Sequence, residues 1–131
     1  HAGWVQKALA RQKAAEAARA AAPTPKPADC LPLFQAVSDG VFPRFAGVLG
    51  GQKPIIKVRD MRTRWGSCHP AKRQITLAAR LALQPPEAVE YVVVHEYCHF
   101  VHPDHQAGFW ALVASILPDW KARRALLRNA R

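Results

Sequence analysis

Tyr91-Val92-Val93-Val94-His95-Glu96-Tyr97-Cys98-His99-Phe100-Val101 is the run that sets the architecture of this chain. Of its eleven positions only His95, Glu96 and His99 carry strongly polar chemistry. On a helix at ~100° per residue those three fall within about a quarter of the circumference. The remaining faces are apolar nearly all round, which predicts a helix buried on most sides. An unpartnered imidazole or carboxylate inside a core costs roughly 1–3 kcal/mol or more, so three of them on one arc need a common partner. A metal ion is the natural one.

The spacing gives the same answer in coordination terms. Histidines at i and i+4 lie one turn apart on one face, so both imidazoles reach a single Zn²⁺ at ~2.0–2.1 Å, with Glu96 beside the open position. His95-Glu96-Tyr97-Cys98-His99 is therefore an H-E-x-x-H signature. The plainer alternative, a helix whose histidines merely pack, is disfavoured by the burial pattern and by the residues downstream. A catalytic zinc needs a third protein ligand that the helix itself cannot supply. His102 shares the face, but seven residues of rise is ~10.5 Å, too far for one ion. Pro103 disfavours helical geometry at His102 and lacks an N–H, so the helix is expected to stop near Val101 or His102. Pro103-Asp104 then forms a turn that delivers His105. The expected ligands are His95, His99 and His105 on one Zn²⁺, with water in the fourth place, in a pattern H-E-x-x-H-x5-H. Asp104 and Asp119, the only later carboxylates, compete for third place and rank lower because His105 follows the turn directly.

Length and composition bound the rest. A chain of 131 residues, half of them apolar, is one domain with room for a real core. Nineteen Lys and Arg against nine Asp and Glu give +10, which suits contact with a polyanion such as nucleic acid, although such an excess is more often a solvated surface. Cys30, Cys68 and Cys98 suggest neither a disulfide framework nor a structural zinc site, and a reduced, cytoplasmic setting fits them best. No apolar run approaches the ~20 residues of a membrane span, and residues 1–22 are too charged for a signal-peptide core. His rather than Met at position 1 reads as a trimmed chain or a fragment.

In chain order, residues 1–22 read as an alanine-rich basic helix, ended by the stiff linker Pro23-Thr24-Pro25-Lys26-Pro27. This divides the chain into residues 1–27 and a domain over 28–131. Asp29 is placed to cap a helix with the buried stripe Phe34, Val37, Val41, Phe45 and Val48, kinked at Pro43 and stopped by Gly50-Gly51. Strands are expected over 54–61 and 62–65, the second closed by a Gly66-Ser67 turn, and over Gln74, Ile75, Thr76, Leu77 and Ala78. Pro85-Pro86-Glu87 opens the metal-binding helix. Residues 106–117 form an apolar helix with Phe109, Trp110, Val113 and Ile116, and a basic last helix comes after Pro118-Asp119. The fold class is α+β, a small sheet of about three strands packed against helices with the H-E-x-x-H helix at the centre.

Arg64-Trp65-Gly66-Ser67-Cys68, Tyr91 to Glu96, the turn His102-Pro103-Asp104-His105, Phe109-Trp110 and Pro118-Asp119-Trp120 together resemble the YgjP-like metallopeptidase family, which is related to the SprT-like zincins. The similarity runs from Trp4 to about Arg128. It implies a zincin-like domain with zinc on His95, His99 and His105 and Glu96 as catalytic base. The family usually has a β-rich segment ahead of the first helix, so this chain resembles the catalytic part of a longer protein. Ala78-Ala79 stands where similar proteins often carry Asn after the I-T-L strand, which leaves any substrate contact there open. The metzincins share the ligand spacing, but His102 replaces their turn glycine and no Met follows the site.

A zincin-like site acts through water whose pKa the zinc lowers to roughly 7, with Glu96 taking its proton and returning it to the leaving amine. Such sites commonly bind a peptide or unfolded protein as an added strand along the sheet edge, and Gln74 to Ala78 is the candidate edge by that analogy. His102, Tyr91 and Arg64 are candidate donors to the transition-state oxyanion. Ser67 and Cys68 have nothing at fixed spacing to activate them, and a strand-end turn is their expected role. Two rival functions stand beside the peptidase. Arg59, Arg62, Arg64 and Arg73 around a zinc site suit a nucleotide or phosphoanhydride hydrolase. Lys121, Arg123, Arg124, Arg128 and Arg131 suit a nucleic-acid-associated protease or binding module of the SprT-like kind.

Overall fold

The computed structural model describes residues 23–128; the helix expected over 1–22, like residues 129–131, lies outside the described residues. The first helix, α1, is Pro27–Val41, so Pro27 is a helical residue rather than the end of the linker. Proline suits that place because the first helical N–H needs no intrahelical partner. Asp29 lies inside the first turn, where its charge favours the helix dipole, and Lys26 takes the cap position instead. Cys30, Phe34, Ser38 and Val41 form the buried stripe. Pro43 ends this helix rather than kinking it: a 3₁₀ turn over Phe42–Arg44 comes next, tighter than an α-helix, and it rephases the residues beyond. Leu49 is consequently buried and Val48 is 55% exposed, the reverse of the expected stripe. Gly50 and Gly51 stop the segment with φ of +62° and +78°, conformations glycine adopts without steric cost.

The sheet has three strands, β1 (Ile55–Arg59), β2 (Gly66–His69) and β3 (Gln74–Ala78), in the order β1-β3-β2. β1 runs parallel to β3 and β2 antiparallel to it. Two expectations are corrected by this arrangement. The second strand begins at Gly66, where a turn was expected, and Arg62, Thr63 and Arg64 are an exposed loop. Trp65 already joins the ladder, its carbonyl accepting from the Ala78 N–H at 2.9 Å. Gln74 to Ala78 is the middle strand, hydrogen-bonded on both sides, so it cannot be the edge that accepts a substrate strand. Its run of buried residues, Ile75, Thr76, Leu77 and Ala78, is what a strand enclosed on both faces looks like.

Helix α2 (Pro86–Cys98) crosses the centre of the domain, in contact with α1, β2 and the two later helices, α3 (Ala107–Ile116) and α4 (Trp120–Arg128). Its polar residues face different ways. Tyr97 points to α1, where its hydroxyl and Ser38 Oγ lie 2.6 Å apart and the hydroxyl donates to the Ser38 carbonyl at 3.2 Å. His95 and His99 point toward the turn after the helix, and Glu96 lies against Gly66 of β2. α4 is pinned to α2 by Arg123, which bonds Asp119 at 2.8 Å, Glu90 at 2.9 Å and the Glu87 carbonyl at 3.2 Å. Among the described residues, no helix is long and apolar enough to cross a membrane.

Candidate metal centre

Helix α2 ends at Cys98, three residues earlier than expected, and His99 caps it. The turn beyond tightens, with both the Val101 and His102 N–H groups donating to the Cys98 carbonyl, at 3.1 and 2.9 Å. That contraction, together with Pro103, reverses the chain and returns His105 over the helix end. His105 Nε2 lies 3.1 Å from His95 Nε2, and the ligating nitrogens of His95, His99 and His105 all lie within 4.8 Å of one another. Nitrogens bound at ~2.0–2.1 Å around a tetrahedral Zn²⁺ are about 3.3–3.4 Å apart, so this spacing closes on the ion with small side-chain rotations.

The surroundings select the ring atoms. His99 Nδ1 lies 3.1 Å from the His102 carbonyl, which can only accept, so Nδ1 carries the proton and Nε2 keeps its lone pair. His95 Nδ1 faces the Tyr91 hydroxyl at 3.4 Å, which leaves its Nε2 toward His105. Phe109 is fully buried, and its centroid lies 4.9, 4.7 and 4.9 Å from those of His95, His99 and His105. Trp110 stacks on His105 at 5.8 Å. Three imidazoles held against an aromatic floor have little freedom left to lose on binding an ion.

Burial also keeps them ready for it. It pushes His95 down to about 3, helped by the neighbouring histidines and Arg124, and it lowers His99 as well despite the carbonyl beside it. Both are therefore neutral near pH 7, the form a metal requires. Glu96 is only 5% exposed, and burial pushes its carboxyl up to about 7 against the opposing pull of Arg64. No side-chain hydrogen bond holds that carboxylate among the described residues. Three converging neutral imidazole nitrogens are a donor set suited to zinc, with the buried Glu96 carboxylate on the same helix beside them.

Of the remaining expected site residues, Arg64 and Tyr91 line the same cleft of about 520 Å³ as His95 and Glu96, although the Tyr91 hydroxyl is turned to His95 Nδ1. His102 acts through its carbonyl, and its ring lies over the first turn of α3, where a Cβ on Gly108 would be 3.0 Å from its Cε1. Asp119 is bound by Arg123, and Asp104 is not in the histidine cluster. Cys68 and Cys98 are each pushed up to about 12 by burial and by Glu96, so neither is a thiolate nucleophile at neutral pH, and neither joins the histidine cluster. Of the four arginines that suggested a phosphate substrate, only Arg64 lines the cleft: Arg59 borders a groove beside α1, Arg62 pairs with Asp60, and Arg73 donates to the Leu49 carbonyl and Gln52.

Sequence reasoning missed two residues of the site. Gly66 leaves room for the base: a Cβ on it would lie 3.2 Å from Glu96 Cγ and Oε2 and from Leu77 Cδ2. The Trp65-Gly66-Ser67-Cys68 motif is its visible signal, but on sequence grounds that motif reads as a turn. Arg124 also lines the cleft, and its only sequence signal is its position one turn after Trp120.

Comparison with known proteins agrees with this geometry. A family model described as YgjP-like, metallopeptidase domain, matches residues 35–130. The crystal structure of the metallopeptidase zymogen of Pyrococcus abyssi abylysin is similar to this chain with a TM-score of 0.57 at 20% identity, over 69% of this chain and 90% of that one. At that identity the likeness is one of fold. No curated protein matches the sequence.

Proposed function

Because the chain belongs to the YgjP-like metallopeptidase family, we propose that it is a zinc-dependent peptidase in which His95, His99 and His105 hold one zinc ion and Glu96 is the general base. The observation that supports this most is the convergence of three ligating nitrogens within 4.8 Å beside the buried Glu96 carboxylate. Zinc there supplies Lewis acidity, polarising a carbonyl and acidifying a water molecule. Glu96 accepts the proton of the attacking water on a carboxylate oxygen and returns it to the leaving amine nitrogen. Tyr91 and the His102 carbonyl hold His95 and His99 with Nε2 free, and Phe109 and Trp110 keep water from the back of the cluster.

The substrate strand we assign to the outer edge of β2, in place of Gln74 to Ala78. β2 is an edge strand, and its Gly66 borders the cleft beside Glu96. An unpaired edge takes up extended backbone, so the substrate is a peptide or an unfolded protein. Arg64 is the candidate oxyanion donor whose charge reaches the cleft without another task. The free thiols Cys30, Cys68 and Cys98 favour a reducing, cytoplasmic setting. Neither rival function gains a specific observation: on α4, Arg123 is engaged by Asp119 and Glu90, and Arg124 is turned to the cleft.

Removal of zinc with a chelator is expected to stop cleavage of an unstructured protein, and one equivalent of zinc to restore it, with nucleoside triphosphates unchanged throughout. Turnover of the triphosphates alone by the zinc-loaded chain would overturn the peptidase reading.

A further inference from the structure

We propose that Arg124 makes the cleft selective for a carboxylate close to the scissile bond of the substrate, carried either by an acidic side chain or by a free C-terminus. The inference rests on the peptidase reading and names its substrate class. The charged residues that line the cleft are Arg64, Arg124 and Glu96, and Glu96 is buried. The two arginines come from separate elements, the loop before β2 and helix α4. Arg123, next along α4, is used up in holding the fold through Asp119, Glu90 and the Glu87 carbonyl. Neither Arg64 nor Arg124 has a carboxylate ion-pair partner among the described residues.

Aromatic faces position Arg124 instead. Its guanidinium carbon lies 5.0 Å from the Trp120 centroid and 5.7 Å from that of Trp110, and the two indoles stack 4.7 Å apart at 19°. Trp110 in turn lies 5.8 Å from the His105 ring and 5.9 Å from the His95 ring. A guanidinium held by ring faces is oriented without being neutralised, and its N–H fork stays available for a planar anion. A fixed cation beside a site that also takes a dication repels it. A substrate carboxylate between the two relieves that repulsion, so the arrangement favours the complex over the resting enzyme. A purely structural Arg124, clamping Trp110 on Trp120, would have no such preference among ligands.

The test measures binding to the zinc-loaded Glu96→Gln chain by calorimetry, with three matched peptides: one with an acidic side chain and an amidated C-terminus, one neutral with a free C-terminus, and one neutral and amidated. Hydrogen bonds to charged groups are worth roughly a factor of ten or more. One of the first two peptides is therefore expected to bind about tenfold tighter than the third, and which one identifies the source of the carboxylate. Arg124→Gln on the same background should level the peptides at unchanged zinc content, Arg124→Lys should keep part of the preference, and raised salt should erode it without any substitution. Equal binding of all three peptides, or a preference that survives Arg124→Gln, overturns the proposal. Cleavage of an unstructured protein by zinc-loaded wild type, assayed in parallel, tests the peptidase reading separately: its absence sinks that reading whatever the binding series shows.

Discussion

Glu96→Gln leaves a chain that binds one zinc ion but hydrolyses peptides about 10²–10⁴-fold more slowly, the range general-base catalysis contributes. The substitution is nearly isosteric, which matters because the Glu96 side chain is buried and lies so close to Gly66 that a Cβ there would be 3.2 Å from its Cγ and Oε2. The amide keeps those contacts and cannot accept the proton, so kcat falls while KM moves little. The wild-type pH profile should rise on its acid side, since the base works only when ionised. Burial pushes the metal-free carboxyl up to about 7, and a bound dication moves that limb lower. Stability of the metal-free protein carries the opposite sign. The folded carboxyl titrates near 7 and the unfolded one near 4.5. Its contribution is thus full below pH 4.5 and lost as pH rises through 7. Thermal unfolding above pH 7 should accordingly find the metal-free Glu96→Gln chain at least as stable as wild type. A variant that kept wild-type kcat with full zinc would remove Glu96 from the mechanism.

His105→Ala lowers zinc affinity by more than about 100-fold, because loss of partners one shell further out already costs about 10–100-fold. His105 isolates the metal role better than the other two ligands do. It is exposed and comes from a turn, whereas His95 and His99 lie on or at the end of the central helix. Its truncation should leave the metal-free melting temperature nearly unchanged and act on the zinc-loaded protein alone. The ring it loses faces His95 Nε2 at 3.1 Å, and no carboxylate joins the histidine cluster to take its place. Competition with a chelator of known affinity reads the change directly. Unaltered affinity would return the third ligand to Asp104.

The centre of the domain was legible because its signals are local. An i, i+4 histidine pair on an otherwise apolar helix needs no knowledge of the rest of the chain, and Pro103 announces the turn that returns His105. Strand order was not legible in the same way. The pairing of Ile55 with Gln74 is a contact between distant segments, and nothing within either segment names its partner. The one local hint was the apolar run Ile75 to Ala78, which marks a middle strand more than an edge. The exchange of Leu49 for Val48 in the core has a local cause that periodicity at 3.6 residues overlooks: the 3₁₀ turn at Pro43 shifts the phase of the residues after it. Arg124 was counted with a basic helix face, since only the stacking of Trp110 on Trp120 separates it from Arg123.

The zinc K-edge X-ray absorption spectrum of the wild-type chain loaded with one equivalent of zinc tests the proposed ligand set most directly. His95, His99 and His105 with one water predict four light-atom neighbours at ~2.0–2.1 Å and the outer-shell scattering of three imidazoles. A sulfur neighbour at ~2.3 Å, bringing Cys68 or Cys98 into the shell, or a shell without three imidazoles, would contradict it.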